Sequence, residues 1–188
     1  SSFLSLERVR ELVEAGCSLS EAITRVRTNS VFTTHTPVEA GHDRFEAELA
    51  WRHLRWFAEA VGLDRADLLA LGRWPDSPHD GDFNMTLLAM HMAERLNGVA
   101  ALHGEVSREM FARFWPGTPT DEVPITHVTN GVHAPSWQSH ALHGLIAEYL
   151  PAGFRERPES DPVWARVAEV PDERLWAVHQ DLKARLLD

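Results

Sequence analysis

Apolar residues recur at helical spacing along most of the chain and alternate with polar residues in only a few short stretches. The helical spacing predicts amphipathic helices over about residues 4–16, 18–28, 45–60, 64–71, 83–96, 105–114, 135–150 and 172–187. Short β-branched or alternating runs predict strands over residues 31–34, 99–103 and 125–129. Helices that alternate with about three strands favour an α/β fold with a parallel sheet and right-handed crossovers.

Local signals place several helix ends. Ser18 followed by Glu21 matches a capping box, Gly62 ends the long third helix, and Asp64 is a suitable N-cap for the next helix. Large apolar side chains at helical spacing are expected in the core, among them Met85, Met90, Met92, Trp51, Trp56 and Trp176.

The stretch richest in reactive side chains follows the first predicted strand. Thr34, His35 and Thr36 lie where this strand ends, because Pro37 has no N–H to give to a ladder. Open α/β sheets bind ligands beyond the carboxyl ends of their strands. These three residues are therefore candidates for hydrogen bonding to a ligand rich in hydroxyl groups. The alternative is a capped strand end with a satisfied histidine.

His42 and Asp43 follow in the same loop. Together with His35 they suggest a metal site, since His and Asp are common ligands, but their spacing matches no usual zinc pattern. We expect instead that Asp43 caps the helix beginning near Phe45 and that His42 supports the loop.

Asn130 follows the third predicted strand, in the segment that continues with Gly131 and His133. An asparagine amide both donates and accepts hydrogen bonds, as a sugar hydroxyl requires. Asn-Gly is also a common turn signal, and both interpretations remain open. We expect Gly131 and His133 to support this loop.

Composition excludes several classes of function. The 188 residues are 44% hydrophobic, which fits one soluble globular domain, and the net charge of −10 argues against nucleic acid or an anionic membrane as partner. No apolar run approaches the length of a membrane span. The single cysteine, Cys17, rules out an intramolecular disulfide and favours a reducing compartment. The single lysine, Lys183, is expected on the solvated face of the last helix.

Three segments, in this order, resemble the α-glucan phosphorylases (glycogen, starch and maltodextrin phosphorylases), and most of all their short bacterial type. They are Phe32-Thr33-Thr34-His35-Thr36-Pro37 with Gly41-His42-Asp43-Arg44-Phe45, then Phe83-Asn84-Met85-Thr86 with Asn97-Gly98-Val99-Ala100-Ala101-Leu102-His103, then Thr129-Asn130-Gly131-Val132-His133-Ala134-Pro135-Ser136-Trp137.

The resemblance implies a pyridoxal-phosphate-dependent glycosyltransferase. Such enzymes have two Rossmann-like domains and release glucose 1-phosphate from an α-1,4-glucan and inorganic phosphate, using the phosphate group of the cofactor for proton transfer. The resemblance places His35 and Asn130 beside the 6-hydroxyl of the bound glucose. We expect Thr36, next to His35 at the strand end, as a further sugar contact. The lysine that binds the cofactor has no counterpart here, because Lys183 lies in no matching motif.

We therefore expect an interior fragment that is inactive alone. Residues 1–134 would end the N-terminal Rossmann-like domain, and residues 135–188 would form a helical connection toward the absent cofactor domain. Its expected partners are glucan, phosphate and the remaining domains of a cytoplasmic enzyme from an allosteric family, with a homo-oligomer left open. Two alternatives remain: a non-catalytic carbohydrate-binding or regulatory module, and a metal-dependent hydrolase using His35, His42 and Asp43.

Overall fold

The computed structural model describes residues 2–158 and 160–187, which divide into two compact units after Asn130. The helices are α1 (Phe3–Glu14), α2 (Leu19–Thr28), α3 (Ala47–Val61), α4 (Arg65–Ala70), α5 (Met85–His91), α6 (Ala101–Phe111), α7 (Ala134–Trp137), α8 (His140–Ala147) and α9 (Asp172–Leu187). The strands are β1 (Val31–Thr33), β2 (Arg44–Phe45), β3 (Phe83–Asn84), β4 (Arg95–Gly98) and β5 (Ile125–His127).

The first unit contains a parallel sheet of three strands in the order β1-β4-β5. Leu96 of β4 lies opposite Phe32 on one side and Ile125 on the other, so β4 is the central strand. The predicted helix-rich α/β fold with about three short parallel strands is thereby confirmed, and it is consistent with part of a Rossmann-like domain.

The position of the central strand differs from the prediction. The sequence predicted one helix through Leu96 and a strand over residues 99–103, whereas α5 ends at His91, β4 follows, and α6 begins at Ala101. Leu96, Asn97 and Gly98 of β4 are all buried. A strand buried on both faces lacks the alternation that would have identified it.

The start of α3 also differs. Arg44 and Phe45 form β2, an antiparallel pair with β3, so the backbone is still extended where the helix was expected. Glu46 occupies the N-cap position without a side-chain capping bond, so the prediction that Asp43 caps this helix is wrong. Instead the backbone carbonyl of Asp43 accepts the N–H of Met85 at 3.0 Å.

Other predicted helix ends are confirmed. The Ser18 hydroxyl accepts the N–H of Glu21, and the Asp64 carboxylate accepts the N–H of Asp67. Gly62 closes α3 with a φ of 77°, a left-handed conformation that glycine adopts without a steric penalty.

The core of the first unit is formed mainly by apolar faces of α1 to α5. Met90 and Met92 are buried as expected. Trp56 and Trp176 were expected in a core but are 50% and 61% exposed. Helical periodicity alone does not show which face of a helix finds a partner.

The second unit has its own small core of Ile146, Leu150 and Phe154. The single helix predicted over residues 135–150 is divided into α7 and α8, because Ser139 adopts an extended conformation and caps α8 through the N–H of Leu142. The last helix, α9, has the predicted bounds. The assignment of residues 1–134 and 135–188 to enzyme domains stays a prediction.

Candidate functional site

The carboxyl ends of β1, β4 and β5 meet at one edge of the parallel sheet. Beyond the strands, the N–H of Thr34 donates to the carbonyl of Asn97, and the N–H of Asn130 donates to the carbonyl of Val99, both at 3.0 Å. The segments that carry His35 and Asn130 are therefore attached to the same central segment. The structure thus brings together the ends of the first and third predicted strands.

The loop after β1 presents one exposed and one half-buried polar residue. His35 is exposed, whereas Thr36 is half-buried and Thr34 is buried. The loop turns back through the N–H of Gly41, which donates to the carbonyl of Val38 at 3.1 Å. A Cβ at Gly41 would overlap the side chain of Thr36, so only glycine permits this approach.

His42 lies buried beneath that loop. Its Nδ1 is 2.7 Å from Oγ1 of Thr86 on α5, and its ring meets Phe111 of α6 edge-on, with 5.3 Å between ring centroids. These contacts attach the loop to two helices.

A buried polar residue next to the central strand, His103, was not among the residues predicted for the site. Nδ1 of His103 accepts the backbone N–H of Val99 at 3.3 Å, so the ring proton of the neutral imidazole is on Nε2. Nε2 is buried and has no hydrogen-bond partner among the described residues. The sequence signal for this bond is that His103 follows Val99 by four residues, at the start of a helix. Residues 99–103 were predicted as a strand instead, so the signal was not used.

Two glycines allow α6 to pack closely on the sheet. A Cβ at Gly98 would lie 2.9 Å from the backbone nitrogen of Gly104, and a Cβ at Gly104 would lie 3.2 Å from the carbonyl oxygen of Thr126. Asn97 stabilises the same region, since its Oδ1 accepts the hydroxyl of Thr33 at 3.0 Å. The beginning of α6, with His103, is thereby held against β4 and β5.

The remaining predicted site residues follow β5. Asn130 and Gly131 are exposed, and a Cβ at Gly131 would meet no atom within 4 Å. In the second unit, Nδ1 of His133 is 2.7 Å from Oγ of Ser136, which links the residue before α7 to that helix.

Neither a metal site nor a cofactor lysine is formed by the described residues. Within residues 2–158 and 160–187, no three His, Cys, Asp or Glu side chains are grouped so as to hold a metal ion. Lys183 is exposed, and its ammonium lies 5.2 Å from the ring centroid of Trp176. The hydrolase alternative, which needs His35, His42 and Asp43 together, gains no support from this geometry.

None of the helices within residues 2–158 and 160–187 is long and apolar enough to span a membrane.

The last residue of α5, His91, has a shifted pKa. Burial lowers the pKa of His91 at the end of α5, against the opposing effect of its hydrogen bond to the carbonyl of Leu87. The Nδ1 to oxygen distance is 2.9 Å, and the ring of Phe114 lies edge-on at 4.7 Å. The neutral form of His91 is therefore favoured in the folded chain.

Curated proteins match the chain over its whole length. It is 37% identical over 187 residues to maltodextrin phosphorylase of Thermococcus litoralis and 42% identical over 195 residues to glycogen phosphorylase of Mycobacterium tuberculosis. Glycogen phosphorylase of Aquifex aeolicus is 34% identical over 187 residues. These alignments cover all of this chain but only 22%, 22% and 26% of the relatives.

No family model matches the sequence. The chain spans 22–26% of the length of these curated relatives. Along its full length the chain is homologous to part of the maltodextrin and glycogen phosphorylases, as its three sequence segments predicted.

Proposed function

We propose that this chain forms one wall of the glucose subsite of an α-1,4-glucan phosphorylase, which transfers a terminal glucose to inorganic phosphate. The observation that carries the proposal is that the carboxyl ends of β1, β4 and β5 meet at one edge of the sheet. The chain is also homologous to phosphorylases over its full length. Polar residues follow each of these ends: His35 after β1, His103 after β4 and Asn130 after β5.

His35, Thr36 and Asn130 are the proposed sugar-binding residues. A hydroxyl group donates one hydrogen bond and accepts others, and imidazole, hydroxyl and amide groups can match both requirements. A site built around such bonds rejects a sugar lacking the hydroxyl, because its own polar groups would be left unpaired. In this proposal the three residues orient the sugar rather than transfer a proton.

We add His103 to this set. Its Nε2–H is a buried donor without a partner among the described residues, and leaving such a group unsatisfied is costly. A sugar oxygen at this edge of the sheet would accept that hydrogen bond.

His42, Asp43, Gly131 and His133 are proposed to support the two loops. His42 acts through Thr86, and Asp43 acts through its backbone carbonyl rather than as a helix cap. These residues fix where the sugar-binding side chains lie without contacting the substrate.

Pyridoxal phosphate is proposed as the cofactor of the complete enzyme. Lys183 does not fit the role of its lysine, because an exposed ammonium over an indole ring has none of the enclosure that a Schiff-base lysine requires. No step through the cofactor is therefore assigned to this chain. The phosphate substrate, the other domains, any allosteric regulation and a cytoplasmic location belong to the same proposal, with a homo-oligomer left open.

The direct test is to mix the purified chain with maltodextrin, phosphate and pyridoxal phosphate and to assay glucose 1-phosphate. We expect no release, because the chain contributes binding residues only. Measurable turnover would contradict the proposal that catalysis requires other parts of the enzyme. Titration with maltose, followed by the fluorescence of the seven tryptophans, tests sugar binding separately from turnover.

A further inference from the structure

The second unit contains a cavity of about 370 Å³ between the end of α8 and the segment that follows it. A cavity of this size is in the range that holds small ligands. Its lining includes His143, Leu150, Gly153, Phe154, Arg155 and Glu156.

Two nitrogen atoms of the lining residues are buried without a hydrogen-bond partner among the described residues. They are Nδ1 of His143 and Nε of Arg155. Buried polar atoms are nearly always satisfied in native proteins, by protein, water or ligand. Both atoms belong to residues that line this cavity, which makes a ligand bound there the candidate partner for the two side chains.

Arg155 also differs from the other arginines of its unit. Arg157, Arg166, Arg174 and Arg185 each form an ion pair with a neighbouring carboxylate. Arg155 forms none with residues 2–158 or 160–187, although it is half-buried. A partly buried guanidinium without a counter-ion favours binding of an anion.

Packing holds the imidazole of His143 in place. Its ring stacks on Phe154, with 5.4 Å between centroids and 20° between planes. Phe154 is itself buried and contacts Trp164 edge-on at 5.6 Å. The position of Nδ1 is therefore set by the small core of this unit rather than by solvent.

We propose that this cavity binds the oxyanion group of a small metabolite no larger than a hexose phosphate. The guanidinium of Arg155 and the imidazole of His143, which both line the cavity, donate to its oxygen atoms. Phosphate and carboxylate share this chemistry.

Glu156 lines the same cavity, and its carboxylate lowers the affinity for an anion without pairing with Arg155. The proposed sugar-binding residues all precede Gly131 in the chain, and none of them lines this cavity.

The test uses the purified 188-residue chain with orthophosphate, glucose 1-phosphate, glucuronate and glucose as probes. Binding is followed by calorimetry and by the nuclear magnetic resonance signal of the Arg155 Nε–H, at probe concentrations up to about 1 mM, the upper end of common metabolite affinities. We expect at least one anion to shift this signal and neutral glucose to leave it unchanged. A response to the two phosphates alone, or to glucuronate alone, identifies the oxyanion that the site prefers. No response to any anion, or an equal response to glucose, would overturn the proposal.

Variants locate the site. Arg155→Gln should weaken anion binding about tenfold or more, since it removes a charge-assisted bond. Arg157→Gln is the matched control and should leave binding unchanged, because Arg157 already pairs with Asp161. Equal effects of the two arginine variants would show non-specific attraction and overturn the proposal.

Two further variants separate binding from folding. Glu156→Gln removes a negative charge from the cavity and should tighten anion binding, a gain that misfolding cannot produce. His143→Asn keeps an N–H donor and should retain more affinity than His143→Leu. Weaker binding by Glu156→Gln would contradict the assigned site.

Discussion

Gly41 and Thr36 approach each other so closely that a methyl group on Gly41 would overlap the Thr36 side chain. The pair closes the loop that carries His35, one of the proposed sugar-binding residues. The position of Thr36 therefore depends on the absence of a side chain five residues later.

Gly41→Ala should displace Thr36 and lower kcat/KM of the complete enzyme about ten- to a hundred-fold, because small displacements of positioning groups are costly. It should also destabilise the chain by about 1–3 kcal/mol, the usual effect of overpacking. Gly144→Ala is the control, because it lies in α8 with no atom within 4 Å of the added Cβ. Unchanged kinetics for Gly41→Ala would show that Thr36 has no positioning role.

The hydrogen bond between His42 and Thr86 gives a prediction about stability. Thr86→Val keeps the shape of the side chain but removes the hydroxyl 2.7 Å from the imidazole, and should lower the free energy of unfolding by about 1–3 kcal/mol. Thr86→Ser keeps the hydroxyl and should cost only about 1 kcal/mol for the lost methyl group. Urea denaturation measures both variants, and a valine variant as stable as the serine variant would contradict the assignment.

Stability should fall on acidification because of His91. Burial lowers its pKa in the folded chain, so the unfolded chain binds the proton more readily and stability is lost as the pH falls below about 6.5. Urea midpoints measured between about pH 7 and pH 5 should therefore decrease. His91→Gln should reduce this dependence, whereas the same change at exposed His179 should not. Identical pH profiles for the two variants would exclude His91 as the cause.

The sugar-binding residues can be tested together in the complete enzyme. His35→Ala, Asn130→Ala and His103→Ala should each lower activity about ten- to a hundred-fold, the value of one buried hydrogen bond. His79→Ala, at an exposed loop position, is the control. Removing the 6-hydroxyl from the substrate should lower the activity of the variants less than it lowers the activity of the unaltered enzyme. In the variants the protein partner of that hydroxyl is already absent. If all three variants keep full activity, the sugar-binding assignment is wrong.

Much of the fold was predictable from local signals. The bounds of α2 and α9, the caps at Ser18 and Asp64 and the left-handed end at Gly62 depend on neighbouring residues only. The parallel sheet followed from the alternation of helices with few strands. The family was predictable too, because three short motifs occur in a fixed order.

The central strand and the start of α3 were not predictable in the same way. Leu96 forms a strand because it pairs with Phe32, 64 residues earlier, and with Ile125, 29 residues later. No local pattern records that pairing. Phe45 likewise remains extended because Phe83 lies opposite it. His103 was missed for the same reason, since its role at the sheet edge depends on where α6 begins.

Both outer strands of the parallel sheet are paired on one side only within the described part of the chain. Val31 and Val128, at these margins, are 64% and 65% exposed. Open edges with exposed β-branched residues are templates for pairing with another chain. Self-association on concentration is therefore to be expected of the isolated polypeptide, and a lysine placed at either margin should improve its solubility.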